Sequence, residues 1–236
     1  MDEQSLDINQ ILYKLKQLGE KKSVKKMAKY GIAPEKIFGV RIPLLRALAK
    51  EMGTNHTLAF KLWNRGYRET RILASMIADP QKFTQKQMET WVKDFDYWEI
   101  CDQCCINLFE KTPFAYQKCF EYSNRKEEYV KRTAFVLMAR LAVSDKKADD
   151  GKFIPFFQVI KREATDNRRM VKKAVNWALR QIGKRSISLN KQALETAKEI
   201  LQIKTQSAQW IAKDAIKELA SDAVQKRLEI KAQKNS

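Results

Sequence analysis

A chain of 236 residues that is 44% hydrophobic can build one large core, or a stack of small units that share a continuous core. Its 46 Lys and Arg outnumber 28 Asp and Glu, and the net charge of +18 predicts a polyanionic partner, nucleic acid before an anionic membrane surface. No stretch reaches the roughly 20 apolar residues of a membrane span, and the polar start "MDEQSLDINQ" is not a targeting peptide. We therefore expect a cytoplasmic protein of a bacterial-type cytosol that is not a membrane protein, with reduced cysteines.

The composition favours an all-α protein. Glycine occurs 7 times and proline 5 times, while Lys, Ala, Leu, Glu and Gln are abundant, and no sustained period-two alternation is present. Four prolines fall at predicted helix starts or just before them: Pro43, Pro80, Pro113 and Pro155.

Helical periodicity recurs along almost the whole chain. Helices are predicted to begin near residues 5, 21 and 43, followed by a run from about 56 to 65. The next six are "YRETRILASMIAD", "TQKQMETWVKDF", "YWEICDQCCINLFEK", "FAYQKCFEYS", "EEYVKRTAFVLMARLAV" and "FIPFFQVIKREA". The last four are "RRMVKKAVNWALRQIGK", "NKQALETAKEILQI", "QSAQWIAKDAIKELA" and "DAVQKRLEIKAQ".

These helices form pairs with short connections, and the pairs resemble one another. Ala134, Ala174 and Ala215 occupy similar positions at intervals of 40 and 41 residues, which suits a two-helix repeat of the HEAT or armadillo type. We predict an α-solenoid of HEAT-like two-helix repeats with a concave basic groove. The prediction is a single domain over 1–236, with a core at about 5–225 and a frayed tail at about 226–236. The alternative is a compact irregular bundle.

The charge is distributed unevenly along the chain. Residues 14–50 carry eleven Lys and Arg against two acids, and residues 152–185 carry ten against two. Residues 79–110 between them carry three Lys against seven acids. Each basic run alone is explained by a solvated helix face, but the two together, with the net charge, predict a cationic groove containing one acidic spot.

Several classes of active site are excluded by the residues available. His56 is the one histidine, so no Ser/His/Asp arrangement is possible beyond it, and neither a His/Cys/Cys zinc spacing nor a glycine-rich phosphate loop is present. Cys101, Cys104 and Cys105 lie on one side of a predicted helix, while Cys119 lies on the next helix and offers no convincing fourth ligand. We interpret the cysteines as packed thiols and expect neither a metal nor a cofactor.

The segment "FDYWEICDQCC", residues 95–105, holds carboxylates beside an indole in a basic chain. Trp98 and Asp102 are four residues apart, which puts them on one face of a helix, and Cys105 and Phe109 extend that face with apolar groups. An Asp on such a face is partly desolvated and needs nearby cations to stay ionised. It can be a buried structural carboxylate or a catalytic one, and the indole can be a core side chain or a ligand contact.

An ordered set of motifs resembles a known family. "WEICD" at 98–102, "VKRTA" at 130–134 and "KAVNWALR" at 173–180 occur in that order on successive repeats. Together with "FGVRIPLLRALAK" at 38–50, they resemble the AlkD-like DNA alkylation repair glycosylases, which are built from HEAT-like repeats. The likeness extends over roughly residues 22–220. Two features depart from the family pattern: Ile42 stands before the first-repeat proline where a small polar residue is usual, and a loop is inserted around "VSDKKADDGKF".

The resemblance implies roles for individual residues. Asp102 matches the catalytic Asp, Trp98 and Trp177 match the indoles that pack against the deoxyribose of the damaged nucleotide, and Arg132 matches the Arg that supports this site. Arg180, one turn from Trp177, is predicted to contact a phosphate. The full set of predicted DNA contacts is Arg41, Arg46, Arg132, Lys172, Lys173, Arg180, Lys184 and Arg185.

The function that the resemblance implies is excision of N3- and N7-alkylated purines from double-stranded DNA, without flipping the base into a pocket. The residues agree, because such purines are already cationic and leave without a general acid, so that one carboxylate, two indoles and basic phosphate contacts suffice. A monomer is the simplest expectation. Two alternatives remain: a non-catalytic HEAT-repeat protein that binds damaged or branched DNA, and a helical scaffold for acidic protein partners.

Overall fold

The structure, a computed structural model, describes residues 7–233. These residues form helices and no strand, which confirms the all-α prediction. Those of the first half are α1 (Ile8–Leu18), α2 (Lys21–Lys29), α3 (Ile42–Met52), α4 (His56–Trp63), α5 (Arg68–Ile77), α6 (Gln85–Lys93) and α7 (Trp98–Asn107). Those of the second half are α8 (Ala115–Ser123), α9 (Glu128–Ser144), α10 (Ile154–Glu163), α11 (Arg169–Gly183), α12 (Ile187–Leu201), α13 (Gln206–Leu219) and α14 (Asp222–Gln233). Two short 3-10 helices cover Phe109–Lys111 and Asp150–Lys152.

Helix starts follow local sequence chemistry. Asp7 and Thr84 each form a capping box with a Gln three residues on, which satisfies free backbone N–H groups at the starts of α1 and α6. Pro43 and Pro155 lie in the first turns of α3 and α10, where the missing N–H of proline costs no intrahelical hydrogen bond. These signals explain why the predicted helices agree with the observed ones.

The first compact unit ends at Pro113 and contains α1 to α7. Here α5 packs against α3, α4 and α7. Aromatic rings fill the core beside them: Trp63 of α4 stacks on Trp91 of α6 with ring centroids 3.9 Å apart, and Phe83 meets Trp91 edge-on. This core supports α7, the helix that carries Trp98 and Asp102.

The second compact unit begins at Phe114 and contains α8 to α14. Its helices α9, α11 and α13 pack side by side, and α8 and α12 pack against α9 and α13 respectively. The repeat alanines Ala134, Ala174 and Ala215 are fully buried on α9, α11 and α13. Small side chains at these positions let neighbouring helices approach closely, as the repeat pattern predicts.

The chain ends differ from the prediction. The helix expected near residue 5 begins at Ile8, and residues 1–6 lie outside the described part. Helix α14 continues to Gln233 and buries Leu228, and the frayed tail at about 226–236 stays a prediction. Residues 234–236 lie outside the described part, and the single-domain boundary stays a prediction.

Among the described helices, none is both long and apolar enough to cross a membrane. The same residues contain no group of three or more His, Cys, Asp or Glu side chains placed to hold a metal ion.

Candidate functional site

Trp98 is the first residue of α7, and its indole is anchored. The Nε1–H donates a 2.8 Å hydrogen bond to the carbonyl oxygen of Tyr30, the residue that ends α2. Gly31, which follows Tyr30, has φ +75°, and a Cβ at this residue would lie 3.9 Å from Nε1 of Trp98. The contact fixes the edge of the half-buried Trp98 ring and brings the lysine-rich helix α2 to the start of α7.

Asp102 lies one turn further along α7 and is only 8% exposed. Its neighbours on the helix are the buried thiols Cys101, Cys104 and Cys105. Burial raises the pKa of Cys105 well above its usual range, and a hydrogen bond to Cys101 and the nearby charge of Asp102 add to the effect. A thiol in this state is a protonated packing group, as the sequence interpretation predicts. Asp102 is therefore a largely buried carboxylate beside packed thiols.

The other acids near Trp98 have structural partners. Asp94 accepts a 2.7 Å hydrogen bond from Nε1–H of Trp63. Asp96, exposed, lies 3.7 Å from the guanidinium of Arg71. The acidic spot that the sequence indicates is thus mainly a set of acids that hold the first unit together.

Glu99 belongs to a buried network that sequence reasoning missed. Arg68, at the start of α5, donates two hydrogen bonds to Glu99, of 2.6 and 2.7 Å, a third of 3.1 Å to Glu69 and a fourth of 2.8 Å to the carbonyl of Val40. Glu69 also accepts the backbone N–H groups of residues 38, 39 and 40. Burial works against the charge of Arg68, but the hydrogen bonds and charges of Glu99 and Glu69 raise its pKa on balance.

This network ties three segments of the first unit together. It joins the first turn of α7 to the first turn of α5 and to the loop before α3. Because Glu99 directly follows Trp98, the network also fixes the backbone at Trp98. The available signal was "YRETR", which places Arg68, Glu69 and Arg71 at the start of a helix that continues as "ILASMI".

In the second unit, Arg132 positions a neighbouring helix. It is buried, and its Nη1 donates a 2.6 Å hydrogen bond to the carbonyl of Met170, in the first turn of α11. Trp177, half-buried, lies on the same helix α11. Arg132 is thus linked to the helix of Trp177, whereas Trp98 and Asp102 share a helix of the first unit. The roles of all four stay predictions.

The predicted DNA contacts differ in availability. Arg41, Arg46 and Lys173 are exposed, and Lys172 is half-buried. Arg46 lines a cleft of about 320 Å³ together with Lys50 and Lys111, which makes that cleft cationic.

Arg185 differs from the other predicted contacts because it is buried. It is only 8% exposed, and it donates to the carbonyls of Ala142 and Ala148 and to Asp150, while its guanidinium lies 4.4 Å from the ring centroid of Phe153. Its guanidinium thus holds the inserted loop around residues 143–153, which argues against the DNA contact predicted for it. Arg180 and Lys184 are both bonded to Glu218, which offsets much of their charge.

A second cationic surface, helix α2, lies within the basic run at residues 14–50. No residue of α2 is buried, and its five lysines are all exposed: Lys21, Lys22, Lys25, Lys26 and Lys29. Because Tyr30 at the end of this helix binds Trp98, these lysines belong to the surroundings of the candidate site. Their spacing was visible in "KKSVKKMAK", but their position beside α7 was not.

Comparisons with known proteins bear on the family and the fold. The family model described as DNA alkylation repair enzyme matches residues 11–219. A solved structure described as a new family of proteins related to the HEAT-like repeat DNA glycosylases with affinity for branched DNA structures superposes with a TM-score of 0.74, at 21% identity, over 82% of this chain and 83% of that one. The HEAT-like repeat fold is thereby confirmed.

Two further comparisons find little or no similarity. A designed armadillo repeat protein in complex with peptide (KR)4 gives a TM-score of 0.32 at 14% identity, over 96% of this chain and 93% of that one. No curated protein matches the sequence.

Proposed function

We propose that this chain, which belongs to the family of DNA alkylation repair enzymes, is a DNA glycosylase that hydrolyses the N-glycosidic bond of cationic N3- and N7-alkylated purines in duplex DNA. The observation that carries the proposal is the pairing, on one face of α7, of an anchored indole at Trp98 with a buried carboxylate at Asp102. Within this family, an indole and a carboxylate one turn apart form the kind of site that cleavage of a sugar–base bond needs.

The chemistry follows from the charge on the leaving group. An N3- or N7-alkylated purine is already cationic, so it departs with the bonding electrons and needs no proton. Positive charge then develops on the sugar as an oxocarbenium-like species. A carboxylate at Asp102 stabilises that charge electrostatically, more strongly in a buried site than in water, and orients the attacking water. The face of Trp98 adds cation–π stabilisation to the sugar.

The supporting residues hold this apparatus rigid. The bond from Trp98 to Tyr30 and the ion pairs of Glu99 fix the start of α7, so the indole does not have to be ordered when DNA binds. Arg132 fixes the first turn of α11, which carries Trp177. The exposed cations of α2 and α3 supply phosphate contacts, which make binding strong and salt-dependent.

The test is release of N7-methylguanine and N3-methyladenine from methylated duplex DNA by the pure protein. Asp102→Asn keeps the shape of the side chain, and it should slow release on the order of 100- to 1000-fold while leaving the affinity for DNA within a few-fold. The matched control is Asp96→Asn, the same change at an exposed acid whose nearest cation is Arg71 at 3.7 Å; it should release base at the normal rate.

Two outcomes would contradict the proposal. Equal release by wild type and Asp102→Asn would remove the carboxylate from the mechanism. Tight binding of methylated DNA with no base release by wild type would exclude a glycosylase.

The second candidate is a non-catalytic protein that binds damaged or branched DNA. It is favoured by the structural neighbour, whose family is described as having affinity for branched DNA structures. Under this alternative, a four-way junction should compete far better than a linear duplex of the same length and charge, and no free base should appear. Equal competition by both DNAs together with base release would favour the glycosylase.

A further inference from the structure

The exposed face of α13 carries an indole outside the set of predicted site residues. Trp210 is 39% exposed, whereas tryptophan is highly buried on average in folded proteins. The ammonium of Lys172, on the adjacent helix α11, lies 5.2 Å from the centroid of the Trp210 ring. At this distance, a cation over an aromatic face is held by the ring quadrupole. Trp210 and Lys172 thus form an ordered pair at the surface, and Trp210 is not an isolated apolar side chain.

The two helices are held in a defined register. The side-chain amide of Asn176 on α11 donates a 3.2 Å hydrogen bond to the carbonyl of Ile211 on α13. Trp177 follows Asn176 and Trp210 precedes Ile211 in the sequence. The bond therefore places the two indoles at corresponding levels of neighbouring helices, one repeat apart.

Cations continue the surface around Trp210. Lys213 and Lys217 are exposed one and two turns further along α13, at spacings that share a face with Trp210. On α11, exposed Lys173 lies one turn before Trp177. The one acid between them, Asp214, lies 3.6 Å from Arg180. An aromatic face surrounded by lysines matches the alternation of sugar and phosphate along a DNA strand.

We propose that Trp210 and Lys172 form a second nucleotide contact, one repeat beyond Trp177. The indole packs against a deoxyribose of the bound strand, and Lys172 binds the adjacent phosphate. The inference rests on the DNA-binding part of the proposed function, and it does not depend on base release. It assigns to the α11–α13 surface a positioning role that sets how far the DNA contact extends toward the C-terminus.

The test measures affinity for an undamaged duplex by fluorescence anisotropy between about 50 and 200 mM salt. Trp210→Ala should weaken binding about tenfold with an unchanged salt slope, because it removes an uncharged contact. Lys172→Ala should lower the log–log salt slope by about one unit, because one phosphate contact is lost. Trp210→Phe keeps an aromatic face and should retain most of the affinity, which keeps the test valid if the alanine variant misfolds.

Matched controls come from the same unit. Phe120 on α8 has the same exposure as Trp210, 39%, and Lys191 on α12 is exposed. Phe120→Ala and Lys191→Ala should bind like wild type. Polyglutamate is the competitor that represents an acidic protein partner.

The proposal is overturned if Trp210→Ala binds within twofold of wild type, if Phe120→Ala loses as much affinity, or if polyglutamate competes as well as DNA at equal charge. Base release measured on the same variants separates the two proposals. Loss of affinity in Trp210→Ala without any glycosylase activity in wild type would support this contact and refute the glycosylase. Full base release with no effect of Trp210 would do the reverse.

Discussion

Replacing Arg68 with Met tests whether the buried network stabilises the first unit. Arg68 is 1% exposed and compensates two carboxylates, Glu99 and Glu69, that are themselves buried. Met keeps an unbranched apolar stem but has three fewer side-chain heavy atoms, so the substitution removes the guanidinium with its charge and its hydrogen bonds. What remains is two carboxylates in an apolar interior without their cation.

The expected cost follows from the unequal surroundings of the two acids. Removing one partner of a buried ion pair costs about 3–5 kcal/mol, because the remaining charge is uncompensated. Glu69 keeps three backbone N–H donors from residues 38–40, whereas Glu99 loses both of its hydrogen bonds from Arg68. We therefore expect a loss of about 4 kcal/mol, most of it at Glu99, which corresponds to a fall in Tm of roughly 10 °C for a chain of this size.

Urea unfolding monitored by helical circular dichroism measures this loss. The control is Lys161→Met, which breaks an ion pair to Glu199 of similar length, 2.8 Å, whose two side chains are 42% and 55% exposed. That variant should lose less than about 1 kcal/mol, because exposed pairs contribute little. A similar loss in the two variants, or a loss below about 1 kcal/mol for Arg68→Met, would refute the assignment of the network as a buried stabilising element.

Two further predictions concern backbone strain and pH. Gly39→Ala should destabilise the fold by about 2 kcal/mol or more, since residue 39 has φ +86° and a Cβ there would lie 2.5 Å from the carbonyl oxygen of Glu20. The control is Gly53→Ala, which measures the backbone cost alone, because residue 53 has φ +63° and a Cβ there would have nothing within 4 Å. Equal losses of stability in urea unfolding of the two variants would contradict the steric argument. Burial works to raise the pKa of Glu218, but hydrogen bonds from Lys184 and Arg180 lower it on balance below the ordinary 4.5. The stability from this depressed pKa is present above about pH 4.5 and is lost as the pH falls through the folded-state pKa. Wild type should therefore lose more stability than Glu218→Gln between about pH 5 and 3. Parallel curves of unfolding free energy against pH for the two proteins would contradict this prediction.

The helices could be predicted from the sequence because their determinants are local. Apolar periodicity, capping boxes and first-turn prolines act within one or two turns. Pro43 and Pro155, for example, are the second residues of α3 and α10. Tertiary packing is not visible in such local patterns. The segment "DAVQKRLEIKAQ" predicts helix α14, but the burial of its Leu228 could not be inferred from that segment alone.

The candidate site was predictable only in part. The spacing of Trp98 and Asp102 fixes a shared helix face, and the structure agrees because that spacing is a property of the helix itself. Arg185 was assigned to DNA because a basic run says nothing about which cation turns inward. Three protein acceptors and an aromatic ring surround its guanidinium, and all of them come from segments more than thirty residues away in the sequence.

The acidic residues near Trp98 differ in the groups that they contact. Asp94 lies beside the indole N–H of Trp63, and Asp96 and Glu99 lie beside the guanidinium groups of Arg71 and Arg68, so their positions are explained by contacts within the first unit. Asp102 shares its helix face with an anchored tryptophan and is only 8% exposed. Asp96 and Glu99 pair with guanidinium groups of the first unit. Under our proposal, the Asp102 carboxylate acts on the positive charge that develops on the sugar, and this is why the side chain should matter for the rate of base release more than for binding.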